Sequence, residues 1–188
     1  MMFQHSSDLS RRQFMASSAS ALALTMASQS TLLASGNDVQ TMTLGFSTYG
    51  SRGITTEEVI PLLAKTGYDA VEITSTKGFD AAPENVAASR RKLIRQMLED
   101  SGLKLTSIME HTSPDSNQTV NDANLERIQR AVGLIRDITD AKDVVIQTVL
   151  GGGVWEQKRN LFVEQVGRWV EKTADSEVNI CIKPHRGG

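Results

Sequence analysis

The sequence predicts an α/β fold built on parallel strands. From Thr41 onward, short apolar segments alternate with longer amphipathic segments, which is the pattern of repeated βα units. The apolar segments begin about 26 to 40 residues apart, which leaves room for one helix and its loops between consecutive strands. Most of the predicted strands are apolar on both faces, as expected of a parallel sheet that is buried by other elements.

Five strands follow from this alternation. They are predicted at residues 42–48, 68–74, 103–109, 143–149 and 178–183. The last of them contains the single cysteine, Cys181, between two isoleucines. An intrachain disulfide is therefore excluded, and we expect Cys181 to be a packed thiol rather than a nucleophile.

The first helix has clear signals at both ends. Thr55 and Glu58 stand at the spacing of a capping box, and Gly67 is placed to end the helix. Pro61 would lie one turn inside and would remove a backbone donor there. A helix that starts later than Thr55 would accommodate Pro61 better.

Three further helices are predicted between the remaining strands. Pro83 should open the second helix and Gly102 should end it. The third repeats leucine, isoleucine and valine at helical spacing between residues 125 and 138. In the fourth, Phe162 and Trp169 fall on one face and are predicted to be core residues.

Composition excludes several classes of function. The 188 residues include 20 Lys and Arg and 22 Asp and Glu, which gives a net charge of −2. A mildly acidic chain has no excess of cations to neutralise nucleic-acid phosphates. The proportion of charged residues is ordinary for a globular protein, so a disordered or fibrous chain is not expected.

The first 36 residues are predicted to be a signal and linker outside the fold. Arg11 and Arg12 precede a small-residue, weakly apolar stretch at residues 16–33, which is the twin-arginine arrangement. This stretch is too weakly apolar to predict a stable membrane anchor. We therefore expect the twin-arginine export machinery as a partner and a periplasmic or secreted location.

Three segments carry a resemblance to a known family. They are residues 44–50, 67–73 and 101–105, of which Gly-Tyr-Asp-Ala-Val-Glu within the second is the most recognisable. The sequence resembles the opening of the xylose isomerase-like TIM-barrel family over residues 41–188. That family contains sugar and sugar-phosphate isomerases and epimerases.

The resemblance implies a partial (β/α)₈ TIM barrel of about five βα units with sequential parallel strands. A complete barrel of this kind needs about 200 to 250 residues, whereas residues 41–188 supply five strands. We therefore expect a fragment or truncated product that is inactive by itself, with uncovered edges at its first and last strands. A complete five-stranded sheet, such as a flavodoxin-like fold with strand order 2-1-3-4-5, is the structural alternative.

Functional groups of such barrels lie at the carboxyl ends of the strands, which selects the candidate site residues. The catalytic candidates are Glu72, His111 and Lys183, and the substrate-binding candidates are Gln147, His185 and Arg186. Glu72 is a candidate proton acceptor, His111 a general acid or base, and Lys183 an electrophile that stabilises an enediolate. The alternatives are a Lys183–Glu72 ion pair and a hydrogen-bonded His111 without a catalytic role.

The family resemblance also implies a reaction. Its members move a proton beside a sugar carbonyl, and many use a divalent metal bound at the ends of strands five to eight. Many also carry Glu before Pro-His at the end of strand five, where this sequence has Lys183. Because a protonated lysine cannot ligate a metal, the cofactor is left unassigned. A sugar isomerase or epimerase is predicted, with a non-catalytic carbohydrate-binding protein on the same scaffold as the alternative; no nucleic acid is expected as a partner.

Overall fold

A computed structural model describes residues 42–183, in which strands and α-helices alternate. The strands are β1 (Gly45–Ser47), β2 (Ala70–Thr74), β3 (Lys104–Met109), β4 (Val145–Thr148) and β5 (Asn179–Ile182). The helices are α1 (Thr56–Thr66), α2 (Ala88–Ser101), α3 (Gln118–Ile138) and α4 (Trp155–Thr173). Each predicted strand is present, although each is shorter than the apolar segment that predicted it.

The five strands form one parallel sheet in the order β1-β2-β3-β4-β5. This sequential order confirms the predicted α/β fold and agrees with part of a (β/α)₈ barrel. It contradicts the flavodoxin-like alternative, which requires β1 to lie between β2 and β3.

The ends of α1 follow the local sequence signals. The Thr55 hydroxyl accepts a hydrogen bond from the Glu58 backbone N–H at 3.3 Å, and the Glu58 carboxylate accepts one from the Thr55 N–H at 2.9 Å. Gly67 ends the helix in the left-handed conformation, with φ of 85°. The expected later start is wrong, because the capping box begins the helix at Thr56 and leaves Pro61 inside it, on the exposed side.

The start of α2 also differs from the prediction. Pro83 opens only a 3₁₀ turn, Pro83–Asn85, and the α-helix begins at Ala88. The interruption has a packing reason, because Val86 leaves the turn in a non-helical conformation and is buried in the core. Gly102 ends the helix as predicted, with φ of 68°.

The hydrophobic core lies between one face of the sheet and the four helices. Strand residues that face the helices include Val71, Ile73, Leu105, Ile108 and Ile146. Phe162 and Trp169 are buried, as their helical spacing predicted. Within the described residues, no helix is both long and apolar enough to cross a membrane.

The prediction for Cys181 is wrong, since its side chain is exposed. Ile180 packs against the core, so the next residue along β5 points to the opposite face of the sheet. Cys181 pairs in register with Gln147 on that face. The two flanking isoleucines therefore indicated a buried strand, but not which of its residues was buried.

A β-bulge in β3 changes which of its side chains face the helices. Leu105 and Ser107 pair with consecutive residues of β2, so Thr106 is the extra residue. Leu105 packs in the core before the bulge and Ile108 does so after it. Ser107 consequently lies on the face of Glu72, and its hydroxyl donates to the Glu72 carboxylate at 2.6 Å.

A buried carboxyl group joins the ends of β2 and β3 to α3. Glu110 has no exposed surface, and it accepts hydrogen bonds from the Arg127 guanidinium and from the Ser75 hydroxyl at 3.0 Å. The backbone N–H of the next residue, His111, donates to the Thr76 hydroxyl at 3.0 Å. The segments after both strands are thereby fixed to each other.

Burial raises the pKa of the Glu110 carboxyl to about 7, although the nearby Arg127 guanidinium acts in the opposite direction. The folded protein therefore binds this proton more tightly than the unfolded chain, in which the pKa of a glutamate is near 4.5. A group of this kind contributes less to stability as the pH rises from its unfolded pKa to its folded pKa.

We predict that stability falls between pH 5 and pH 8 and that Glu110→Gln reduces this fall. The Glu110 contribution to the free energy of unfolding should decrease by up to about 3 kcal/mol over this interval. Urea unfolding at both pH values measures it. Glu126→Gln, which removes an exposed carboxylate of α3, should leave the pH dependence unchanged. Equal pH dependence of the wild type and Glu110→Gln would contradict this role of the buried carboxyl.

Candidate active site

The face of the sheet opposite the helices carries a band of polar side chains. Ser47, Glu72 and Ser107 pair across β1, β2 and β3 in one row of the sheet. In the next row towards the carboxyl ends, Gln147 of β4 pairs with Cys181. All strands are parallel, so their carboxyl ends lie along one edge, which is where barrel enzymes bind substrates.

Glu72 lies within this band rather than at the edge. It is the central residue of β2, it is half-buried, and its described partner is the Ser107 hydroxyl. His111 follows Ser107 by four residues and lies two residues beyond the end of β3, which corresponds to about 13 Å of extended chain. The structure therefore places Glu72 and His111 on one side of the sheet but at different heights.

His111 lies at the edge, in contact with the first of two stacked aromatic rings that sequence reasoning missed. Its ring centroid is 5.8 Å from that of Tyr49, which follows β1. Tyr49 in turn stacks on Phe79, from the loop after β2, with centroids 5.3 Å apart. We call Tyr49, Phe79 and His111 the aromatic rim. Each residue follows a different strand, a placement that becomes apparent only once the strand order is known.

A network of charges holds the loop that carries Phe79. Arg90 of α2 donates to both carboxylate oxygens of Glu57, at 2.6 and 2.7 Å, and to Asp80 at 2.5 Å. Asp80 also accepts from the backbone and hydroxyl of Thr56 at 2.8 and 2.7 Å. The hydrogen bond from Arg90 lowers the pKa of Glu57. Burial tends to raise the pKa of Asp80, but the hydrogen bonds from Thr56 and Arg90 outweigh burial, so this pKa is also lowered.

Gln147 and Lys183 occupy the β4 and β5 side of the same face. Gln147 is half-buried in β4, and its amide donates to the carbonyl of the following residue at 3.1 Å. Lys183 is exposed, and its backbone N–H continues the ladder to β4 at 2.8 Å. One row of the sheet contains Met109, Gln147 and Cys181. His111 lies two residues after Met109, and Lys183 lies two residues after Cys181. These two candidates therefore lie at the same height along the strands, with β4 between them.

The alternative in which Lys183 forms an ion pair with Glu72 is not realised among the described residues, where Glu72 accepts a hydrogen bond from Ser107. The other two substrate-binding candidates, His185 and Arg186, lie outside the described residues. The structure thus brings four of the six predicted site residues to one face, with Glu72 and Gln147 below the edge and His111 and Lys183 at it.

A divalent metal does not fit the side chains between residues 42 and 183. No group of three or more acidic, histidine or cysteine side chains in this range could hold an ion. Glu72 lies in the middle of β2, whereas His111 lies beyond the end of β3, and the ammonium group of Lys183 has no lone pair to offer. No catalytic step is therefore derived through a metal.

Comparison with known proteins gives the family. Residues 60–188 match the family model described as xylose isomerase-like TIM barrel. No curated protein matches the chain. The match covers β2 to β5 and the segment that carries all six predicted site residues.

Solved structures share the fold at low sequence identity. The probable 3-DHS dehydratase AsbF, involved in petrobactin synthesis in Bacillus anthracis, is 14% identical with a TM-score of 0.62, over 78% of this chain and 53% of that chain. A D-tagatose 3-epimerase-like protein is 17% identical with a TM-score of 0.57, over 78% and 55%. A fusion of a xylose isomerase-like TIM barrel with 4-hydroxyphenylpyruvate dioxygenase is 18% identical with a TM-score of 0.55, over 75% and 21%.

The chain spans about half the length of the first two of these structures. At these identities the similarity establishes the common architecture of sequential βα units. Together with the family model, which covers more than half of the sequence, it leads to one conclusion. The chain belongs to the xylose isomerase-like TIM barrel family.

Proposed function

We propose that the protein acts as a sugar or sugar-phosphate isomerase or epimerase that transfers a proton at the carbon beside a carbonyl. The observation that carries this proposal is the position of His111. It lies at the carboxyl edge, packed against Tyr49, above a polar face that contains Glu72 and Gln147. A substrate bound at this edge would meet a proton-transfer group together with hydrogen-bonding groups.

Each side chain has a role that follows from its chemistry. A histidine exchanges protons near neutral pH and suits the general acid or base. The ammonium group of Lys183, at the same height of the sheet, suits the stabilisation of the oxyanion that forms when a proton leaves the neighbouring carbon. Glu72 and Gln147, deeper on the face, suit proton acceptance or hydrogen bonding to substrate hydroxyls.

The family gives this proposal its substrate class. One structural neighbour is a D-tagatose 3-epimerase-like protein and another is a probable 3-DHS dehydratase. Inverting a carbon centre and removing water can both begin with loss of a proton beside a carbonyl. The shared fold supports a reaction of that type, and the residues at the edge of this sheet supply groups for it.

We predict that the protein catalyses exchange of substrate hydrogen with solvent. In D₂O, NMR should detect deuterium at the carbon beside the carbonyl in at least one member of a panel of ketoses and ketose phosphates. His111→Asn should reduce the exchange rate by about 100-fold or more, because the proton-transfer group is lost. Glu126→Gln, on the exposed face of α3, should retain the wild-type rate.

Binding of sugars without deuterium incorporation would contradict the catalytic proposal. That result would support the second candidate, a non-catalytic carbohydrate-binding protein. The exposed Lys183 favours this candidate, because many family members have an acidic residue at that position. The assay should use the whole protein as its gene expresses it, and circular dichroism should confirm that the variants fold.

We also propose that residues 1–36 direct export by the twin-arginine machinery and that the barrel segment starts near residue 41. Lysine cannot replace the paired guanidinium groups that define such a signal. We predict that replacing Arg11 and Arg12 together by Lys keeps the protein in the cytoplasm, whereas the wild type reaches the periplasm or medium. Cell fractionation measures this, with a strain that lacks the translocase as control. Export of the double variant would contradict the proposal.

A further inference from the structure

We infer that Arg52 forms a subsite for the anionic group of the substrate, either a carboxylate or a phosphate. The inference rests on the proposed function and adds that the carbohydrate substrate carries an anionic group. Arg52 follows β1 and the short 3₁₀ turn Thr48–Ser51, and its side chain is exposed at the carboxyl edge of the sheet.

The aromatic rim orients the Arg52 side chain. Its guanidinium carbon lies 4.9 Å from the centroid of the Phe79 ring, in cation–π contact. Phe79 is itself stacked on Tyr49. This contact involves no hydrogen bond, so it restricts the side chain without occupying the N–H donors that bind carboxylate or phosphate.

Arg52 has no acidic partner among the described residues, in contrast to most other arginines there. Those whose side chains form hydrogen bonds are Arg90, Arg91, Arg95, Arg127, Arg130, Arg136 and Arg168. The arginine most similar to Arg52 in this respect is Arg159, which is exposed on α4. Arg52 thus combines a restricted position with donors that are free to bind an anion.

A shallow cleft of about 40 Å³ lies beside Arg52, between the loops that follow β1 and β2. Thr48 and Ser51 contribute hydroxyl groups to its wall, and Phe79 contributes an apolar surface. Asp80 is the acidic residue in the wall, but it is already bonded to Arg90 and to Thr56. The charge of Arg52 is therefore not compensated by the acidic residue of the cleft.

The combination of groups matches an anionic carbohydrate. A guanidinium forms paired hydrogen bonds to carboxylate or phosphate oxygens, and such charge-assisted bonds are stronger than bonds between neutral groups. Hydroxyl groups beside it suit the hydroxyls of a sugar, and the ring suits its C–H surface. The carboxylate of a sugar acid and the phosphate of a sugar phosphate share the chemistry that Arg52 would recognise.

Calorimetric titration of the full chain at low salt tests the inference with D-fructose, D-fructose 6-phosphate and D-gluconate. We expect at least one charged ligand to bind about tenfold or more tightly than fructose. Arg52→Gln should reduce that preference to about twofold or less. Arg159→Gln removes an equally unpaired charge outside the cleft and should preserve it. Phe79→Leu keeps the charge but removes the ring, and should weaken binding of the charged ligand.

The outcomes distinguish a carboxylate ligand from a phosphate ligand, and they distinguish failure of this inference from failure of the proposed function. A preference for fructose 6-phosphate alone assigns the phosphate, and a preference for gluconate alone assigns the carboxylate. The inference is overturned if fructose binds as tightly as the charged ligands, if Arg52→Gln retains the preference, or if Arg159→Gln loses it equally. Absence of binding by all three ligands would also overturn this inference, whereas the proposed function is decided separately by the deuterium-exchange assay.

Discussion

The arrangement of the candidate site depends on one local constraint, the bulge at Thr106 in β3. Side chains along a strand alternate between its two faces. One extra residue therefore moves every later side chain of the strand to the opposite face. Alternation continued from Leu105 without the bulge would turn His111 towards the helices and Glu110 towards the open face. With the bulge, Glu110 is buried against α3 and His111 joins the aromatic rim.

Two charge clusters, one around the buried Glu110 and one around the half-buried Arg90, then keep the carboxyl edge in place. Glu110 binds Arg127 and Ser75 beneath His111, and Arg90 binds Glu57 and Asp80 beneath the loop that carries Phe79. Removing one partner of such a cluster leaves a poorly solvated charge, so the loops are held by the cost of breaking these pairs. The edge is therefore a fixed surface, on which a substrate would meet rings and charges already in position.

Local signals in the sequence predicted much of the fold and less of the site. The capping box at Thr55 and the left-handed Gly67 involve residues that are neighbours in sequence, so their spacing is informative. The bulge, the exposed Cys181 and the stack of Arg52 on Phe79 depend on the register between strands and on contacts between separate loops. The barrel rule selected His111 and Lys183 by position, but it selects only polar residues directly at strand ends and therefore missed Tyr49, Phe79 and Arg52.

The orientation of β3 beyond its bulge can be measured directly by NMR. Nuclear Overhauser contacts of the His111 imidazole protons report which face of the sheet this side chain occupies. The account predicts contacts between the imidazole and the Tyr49 ring protons, because the two ring centroids are 5.8 Å apart. Contacts between the imidazole and side chains of α3, such as Arg127, without contacts to Tyr49 would contradict it.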